Sequence, residues 1–550
     1  MDFLKLKVRI PTGNSKFANL VKYDGIYVDK TKFIYELALC HGAYFLSRPR
    51  RFGKSTLIST FEELFTHGVK PYDGHDSYFK GMYIEDKWSD DNDYLIMKLD
   101  FAQLFVSYCK SVSEFEGKFV KVLNEFAQKF GIKPLTNAKV SDAFRNILEH
   151  VKDNSLVILV DEYDFSLTHN FNHPEVFEGI TDILRGFYQQ IKSNSGSFRF
   201  VFITGITRYC APNQFMEGNF FDDITFKSEF GEIVGFTRDE IEHYFKDNLK
   251  YATSIRKDKA FEEVTNRDIE SLVDELENMY GGYSFDKHVE TKVFSTWSVL
   301  SFFENRYVKL EPYWFDNGGS LPPTLLNYVT DLQSPFLDLL KTGQTSIYKS
   351  RLLHPGFEAP FDEKALLFQT GYLTLGNGSN ALCSYLKMPN QEVTNSLIVL
   401  YFGRVFKDTD KRAALKSCAI GTLKTSTEVV DYFNRILNAV DYEHYPLTQE
   451  SAVTNSLFMF FNGYGLTHTN VNVHSSKGRA DLIIEDSKRR IVCELKYAKE
   501  SDNAESLLKE ACLQIENREY GETEPKPQQI LKLALVFSEK ERKFTLYKEC

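Results

Sequence analysis

The sequence predicts a multidomain α/β chain, and three observations predict it. The 550 residues exceed one ordinary core and divide into roughly three or four domains. Over the first two hundred residues, apolar strand-like runs alternate with helical periodicities, the pattern of a parallel sheet covered on both faces. The last hundred residues follow a different order, αβββαβ, and read as a domain of their own. Hydrophobic residues at 43% and charged residues at 26% fit a folded rather than a disordered chain. The 47 Phe and 30 Tyr supply most of its core-building surface.

The elements follow in order. Ala43–Ser47 is a short apolar strand, and Lys54–Phe65 has helical spacing. A strand at 94–100 precedes helices near 112–130 and 138–151. Leu156–Val160 is a fully apolar strand ending in acid, followed by a helix at 175–193 and a strand at Phe198–Thr204. Thr237, with Glu240 three residues on, predicts a capping box. It opens a mainly helical stretch to about 310, broken by a turn at Gly281-Gly282. Residues 311–425 look irregular, with Asn317-Gly318-Gly319 and Pro322-Pro323, some helices and a strand at Tyr372–Leu375. A helix at 448–463 follows, then strands near 467–474, 479–485 and 490–496. A helix near 503–518 and strands near 530–538 and 543–547 complete the chain. These breaks divide it into 1–235, a helical lid at 236–310, a linking region at 311–430, and 431–550.

The net charge of -10 excludes an all-over basic coat, so any phosphate contact must be a focused patch. The eight cysteines, at 40, 109, 210, 383, 418, 493, 512 and 550, form no CxxC and no zinc spacing. Reduced thiols in a cytoplasmic protein are the expectation. The start, MDFLKLKVRIPTGNSKF, is charged and lacks a signal-peptide core. No apolar run approaches the roughly 18 residues of a membrane span.

Arg48-Pro-Arg-Arg-Phe-Gly-Lys-Ser55 stands between a strand and a helix. A phosphate loop needs amides turned toward phosphate at a helix N-terminus. The nucleotide-contacting residues are then Arg48, Arg51, Phe52, Gly53, Lys54, Ser55 and Thr56. Gly53 permits close approach, Lys54 meets the β and γ phosphates and Ser55 holds Mg²⁺. The generic motif has Gly where Arg48 stands. Asp161 and Glu162 end the apolar strand; an Asp there binds Mg²⁺ and the next Glu polarises water. A solvated strand end is the plainer alternative. Thr204 and Arg208 are candidate γ-phosphate sensors, Arg208 also a trans-acting finger, against a cap and a surface ion pair. Arg50 and Arg51 are phosphate contacts or solvated arginines.

Near the other end, Asp481, Glu494 and Lys496 fit D-x12-E-x-K. Alternate strand residues share a face, so Glu494 and Lys496 point together. If the loop Asp486–Arg489 is symmetric, 485 opposes 490 and 481 opposes 494. Two carboxylates set about 5 Å apart repel unless a cation such as Mg²⁺ lies between them. The metal set is thus Asp481 and Glu494 here, with Ser55 and Asp161 at the phosphate loop. Lys496 positions water or stabilises charge. Glu450 is an extra ligand or water-orienting acid, or simply a first-turn glutamate favoured by the helix dipole. Arg479 and Lys477 flank Asp481 as candidate phosphate contacts.

The segments FLSRPRRFGKSTLISTFEELF, VILVDEYD, FVFITGITR, NMYGGYSF, WSVLSFF and FQTGYLTL resemble the AAA-ATPase-like proteins. These are bacterial and mobile-element-associated chains that carry a C-terminal PD-(D/E)XK nuclease-like domain. The resemblance covers most of the sequence. It implies an ASCE/AAA-like parallel sheet, a restriction-endonuclease-like αβββαβ domain, and ATP bound through Lys54, Ser55 and Asp161. The Arg48-Pro49 start is usual in that family. Gln514 and Tyr520, with Arg518, match its helix motif QI-x-x-K/R-x-Y and imply nucleic-acid contact, with helix-surface packing the alternative. The expected function is an ATP-regulated or ATP-driven, Mg²⁺-dependent nuclease acting on DNA, an ATPase and hydrolase of phosphodiesters. The alternatives are a nucleotide switch that binds nucleic acid without cleaving it, and an NTPase scaffold for a protein partner. A homo-oligomer stays open.

Overall fold

The computed structural model describes residues 10, 12–104, 109–170, 173–208, 220–316, 339, 343–353, 362–406, 423–463, 468–475, 478–485, 489–517 and 529–550. The chain forms two compact units, residues 1–320 with 346–392, and residues 321–345 with 393–550.

The first unit is built on five strands: β1 (Ala43–Ser47), β2 (Leu95–Asp100), β3 (Leu156–Asp161), β4 (Phe198–Gly205) and β5 (Phe221–Asp223). Their order is β2-β3-β4-β1-β5, and every neighbouring pair is parallel. Strands β1, β3 and β4 are buried along their whole length, which explains their unbroken apolar runs. The β5 strand goes unpredicted because three residues, FDD, carry no periodicity of their own.

Helices α1 (Phe17–Lys22), α2 (Thr31–Leu39), α3 (Lys54–His67), α4 (Val112–Lys129), α5 (Val140–Leu148) and α6 (Pro174–Ser193) accompany the sheet. Four of these stand where the periodicity places them. The predicted capping box at Thr237 and Glu240 is formed and opens α7 (Arg238–Tyr244). α8 (Lys246–Lys257), α9 (Asn266–Tyr280) and α10 (Thr296–Glu304) complete a helical group in the same unit. It has its own core, including Phe245, Leu249, Leu276, Tyr280 and Phe302. Between α9 and α10 the chain is extended, bridging Tyr283 to Val293 and Phe236 to Phe294.

The region read as irregular holds more structure than its sequence announces. Strands β6 (Gln344–Tyr348), β7 (Thr374–Gly376) and β8 (Cys383–Lys387) form a small sheet in the order β6-β8-β7. A helix, α11 (Gln391–Val405), follows. The strands are too short, and β6 too exposed, to give a clear apolar alternation.

The second unit contains α12 (Ser426–Leu437), α13 (Glu450–Gly463), β9 (His468–Ser475), β10 (Gly478–Glu485), β11 (Arg489–Ala498), α14 (Ala504–Asn517), β12 (Gln529–Ser538) and β13 (Lys543–Glu549). The sheet order is β13-β12-β11-β10-β9, with β11 and β12 parallel and the remaining pairs antiparallel. Leu482, Ile484, Ile491, Cys493 and Leu495 join a core with residues of α12 and α13. Ile483 and Val492 pack with Ala511, Cys512 and Ile515 of α14 in a second cluster. Alternation along the strands therefore sends Asp481, Glu494 and Lys496 to the α14 side. Among the described residues no helix is long and apolar enough to cross a membrane.

Candidate functional site

The loop after β1 is held from below and from behind. Gly53 takes φ +95, a left-handed conformation that costs glycine nothing, and caps α3. Arg48 is 1% exposed. Its guanidinium turns inward and donates to the carbonyls of Ser47, Thr225 and Phe230 over the ring of Phe285. Burial lowers its pKa to about 9. The expected phosphate contact by Arg48 is thus corrected: a core-bound side chain occupies the position where the generic motif needs glycine. Arg51, at φ +71, donates to the carbonyls of Tyr313 and Trp314 and lies over Trp297. Phe52 is buried edge-on against Tyr283 and Phe285, and its carbonyl accepts from Gly235 N and the Thr296 hydroxyl. Both side chains are thus engaged by protein groups in this arrangement. Arg50 is the exposed arginine of the loop.

Lys54 is 5% exposed, and its ammonium donates to the carbonyls of Arg48 and Pro49 at 3.1 and 2.9 Å. Burial lowers its pKa, while Glu162 and Asp161 pull it back up. Asp161, 3% exposed, is raised by burial, against a hydrogen bond from Ser55 and the charge of Lys54. Glu162, at φ +49, is raised by burial and likewise opposed by Lys54. Lys54, Ser55, Asp161 and Glu162 thus form one electrostatic group, while Thr56 lies half-buried one residue further on. Thr204, fully buried, donates to the carbonyl of Leu46 and joins β4 to β1.

Arg208 is 4% exposed. It pairs with Asp223 at 2.6 Å and donates to the carbonyl of Leu353. The ion pair expected at the surface is thus a buried one. Asp164 was missed. Its carboxylate accepts from the amides of Ile206 and Thr207 and the Thr207 hydroxyl, fixing the tips of β3 and β4 together. The third acid in VDEYD is its only signal in the sequence.

Beside Gly53 and Thr56 opens a cavity of about 550 Å³, counting its mouth. Ile26, Val28, Leu57, Ile233, Phe236 and Leu300 supply apolar walls. At its edge Lys30 pairs with Glu240 at 2.6 Å. No motif marks these residues, because four separate segments build the wall.

In the second unit the hairpin register is the expected one. Glu485 opposes Arg490 and Leu482 opposes Cys493; continued by one pair, it sets Asp481 across from Glu494. Asp481 Oδ2 accepts from the amide of Leu495 at 2.8 Å. Asp481 and Glu494 are 9% and 3% exposed. Burial and then the charge of Asp481 push Glu494 up to about 7; Lys496 opposes this and Glu450 adds to it. Lys496 Nζ lies 3.5 Å from Glu494 Oε1, and Glu494 Oε2 is buried without a hydrogen-bond partner among the described residues.

Among the described residues no cluster of three or more His, Cys, Asp or Glu forms a ready cage. Mg²⁺ does not need one, since it keeps several waters and takes one or two carboxylates plus phosphate. An unpartnered carboxylate oxygen beside a second carboxylate fits such a cation. Glu510 of α14, also missed, stands 4.0 Å from Lys496 and accepts from Gln514 Nε2 at 3.2 Å. Gln514 therefore reaches the edge of this group. The i, i+4 spacing of Glu510 and Gln514 was the available signal. Arg479 lies on β10 opposite His474, but its side chain, like Lys477, Arg518 and Tyr520, falls outside the described residues.

Comparison with known proteins matches a domain at each end of the chain. A family model described as predicted AAA-ATPase matches residues 11–213. One for the PD-(D/E)XK nuclease superfamily matches residues 449–545. A protein of Azotobacter chroococcum mcd 1, described as an uncharacterized protein in the vnfD 5' region, is 28% identical over 397 residues. That alignment spans 71% of this chain and 69% of the relative. The chain thus carries an AAA-ATPase-like domain over residues 11–213 and a PD-(D/E)XK nuclease superfamily domain over residues 449–545.

Proposed function

We propose that this chain is an ATP-binding, Mg²⁺-dependent nuclease that hydrolyses DNA phosphodiesters under the control of its nucleotide site. The observation that carries the reading is the grouping of Asp481, Glu494 and Lys496 on one sheet face, with Glu494 Oε2 buried and unpartnered among the described residues. Asp481 and Glu494 are the residues that would hold the cation. Bound there, a divalent cation supplies Lewis acidity, lowering the pKa of a water and offsetting charge on the phosphate. Lys496 adds a fixed positive charge beside the reacting phosphate. Glu450, close enough to perturb Glu494, orients the attacking water. Gln514, Arg479 and Tyr520 are assigned to the nucleic-acid strand.

At the nucleotide site Lys54, now bonded to two loop carbonyls, would meet the β and γ phosphates. Ser55 and Asp161 would hold the cation, Glu162 would polarise water, and Thr204 lies at the adjoining strand tip. The apolar cavity beside Gly53 and Thr56 takes the base. Phe236 and Leu300 belong to its wall, which supports reading 236–310 as a lid. One strand, β4, lies between β1 and β3, in keeping with an ASCE/AAA-like sheet.

The test is incubation of the full chain with DNA and Mg²⁺, with and without ATP, beside Lys496→Ala. Wild type is expected to cut and the variant to leave DNA intact. Identical product patterns from the two overturn the reading. Binding without cleavage of any substrate favours the non-cleaving nucleotide switch.

A further inference from the structure

Cys512 of α14 and Cys550 place their sulfurs 2.9 Å apart. Cys512 is buried in the apolar cluster under α14, and Cys550 packs half-buried against the same cluster. The amide of Cys550 donates to the carbonyl of Lys532, so residue 550 is fixed beside β12. Neither sulfur depends on a flexible loop for its position. A disulfide has an S–S separation of about 2.0 Å, so small side-chain rotations would bring the pair to bonding distance. Cys40 is exposed and Cys383 half-buried, but among the described residues only Cys512 and Cys550 bring two sulfurs into contact.

We propose that Cys512 and Cys550 are a reversible thiol–disulfide site that ties α14 to the end of the β12–β13 hairpin. The oxidant is a small peroxide. One thiol takes oxygen from hydrogen peroxide, giving a sulfenic acid and one water. The second thiol displaces that oxygen as a further water and forms the S–S bond. Two thiols are oxidised, one peroxide is reduced, and two waters leave. A dithiol reductant reverses the step by exchange.

Burial and the neighbouring sulfur push the Cys550 thiol up to about 12. Thiolate is the reactive form, so the bond forms slowly. The closed loop contains the connection from α14 to β12, and cross-linking it restricts the unfolded chain. Locking α14 also fixes the helix that carries Glu510 and Gln514.

The experiment treats the full chain with hydrogen peroxide for hours, alkylates the remaining thiols, and maps peptides by mass spectrometry. The expected result is a cross-linked Cys512–Cys550 peptide pair that separates under dithiothreitol. Thermal unfolding of the oxidised chain should then come at higher temperature, and return on reduction. Cys550→Ser, at a half-exposed position, should abolish both the cross-link and the thermal shift; Cys512→Ser is the second variant. Both cysteines alkylated, or oxidised to sulfinic acid without a cross-link, would overturn the proposal. Neither readout requires nuclease activity.

Discussion

Asp481 spends one carboxylate oxygen on the amide of Leu495 at 2.8 Å, and Leu495 is the residue between Glu494 and Lys496. This bond fixes β10 to β11 where the two acids meet. It aims Asp481 at the same sheet face as its neighbours, and binds the position of one acid to the backbone carrying the other.

Asp481→Asn and Lys496→Ala should each reduce DNA cleavage by about a hundredfold or more, as measured by initial rates at saturating Mg²⁺. Asp481→Asn can keep the Leu495 contact through its amide oxygen, so its far-ultraviolet circular dichroism should match wild type.

Metal-free stability should depend on the protonation of Glu494. Its folded pKa of about 7 lies above the ordinary value of 4.5. Between those values the folded state holds more protons, so this contribution is present below about 4.5 and is lost as pH rises through 7. Glu494→Gln should therefore gain thermal stability over wild type as pH rises from 5 to 8, in chelator. Affinity for Mg²⁺ should weaken toward tenfold per unit as pH falls below 7, which calorimetry can follow.

ATP should stabilise the first unit through Lys54. At about a hundred times its Kd, a ligand adds roughly 2.7 kcal/mol. Lys54→Ala should erase that gain in thermal-shift assays, and unchanged ATP affinity in the variant would remove the phosphate-loop assignment.

Arg208→Ala should behave as a folding defect. It leaves Asp223 partly buried without its cation, at a cost of about 3–5 kcal/mol. Chemical denaturation is the measurement, and mixing it with Lys54→Ala should give no complementation.

The fold was largely legible because its main strands are buried on both faces and read as apolar runs, as Leu156–Asp161 does. The hairpin register was legible too, since four residues between Glu485 and Arg490 set the pairing arithmetic. The inward turns of Arg48 and Arg208 were not. A local motif gives the spacing of a side chain but not the carbonyls or carboxylate waiting in segments far along the chain. The cavity was hidden for the same reason, being shared among segments near 26, 57, 233 and 300. Strand β5 was hidden by its length.

The burial of Arg48 has a consequence for engineering. Substituting glycine there would bring the sequence closer to the general phosphate-loop formula. It would also remove the guanidinium from Ser47, Thr225 and Phe230 and open a hole beneath the turn. In this protein the formula's preferred residue would be the injurious one, and pattern searches that insist on it would pass the chain by.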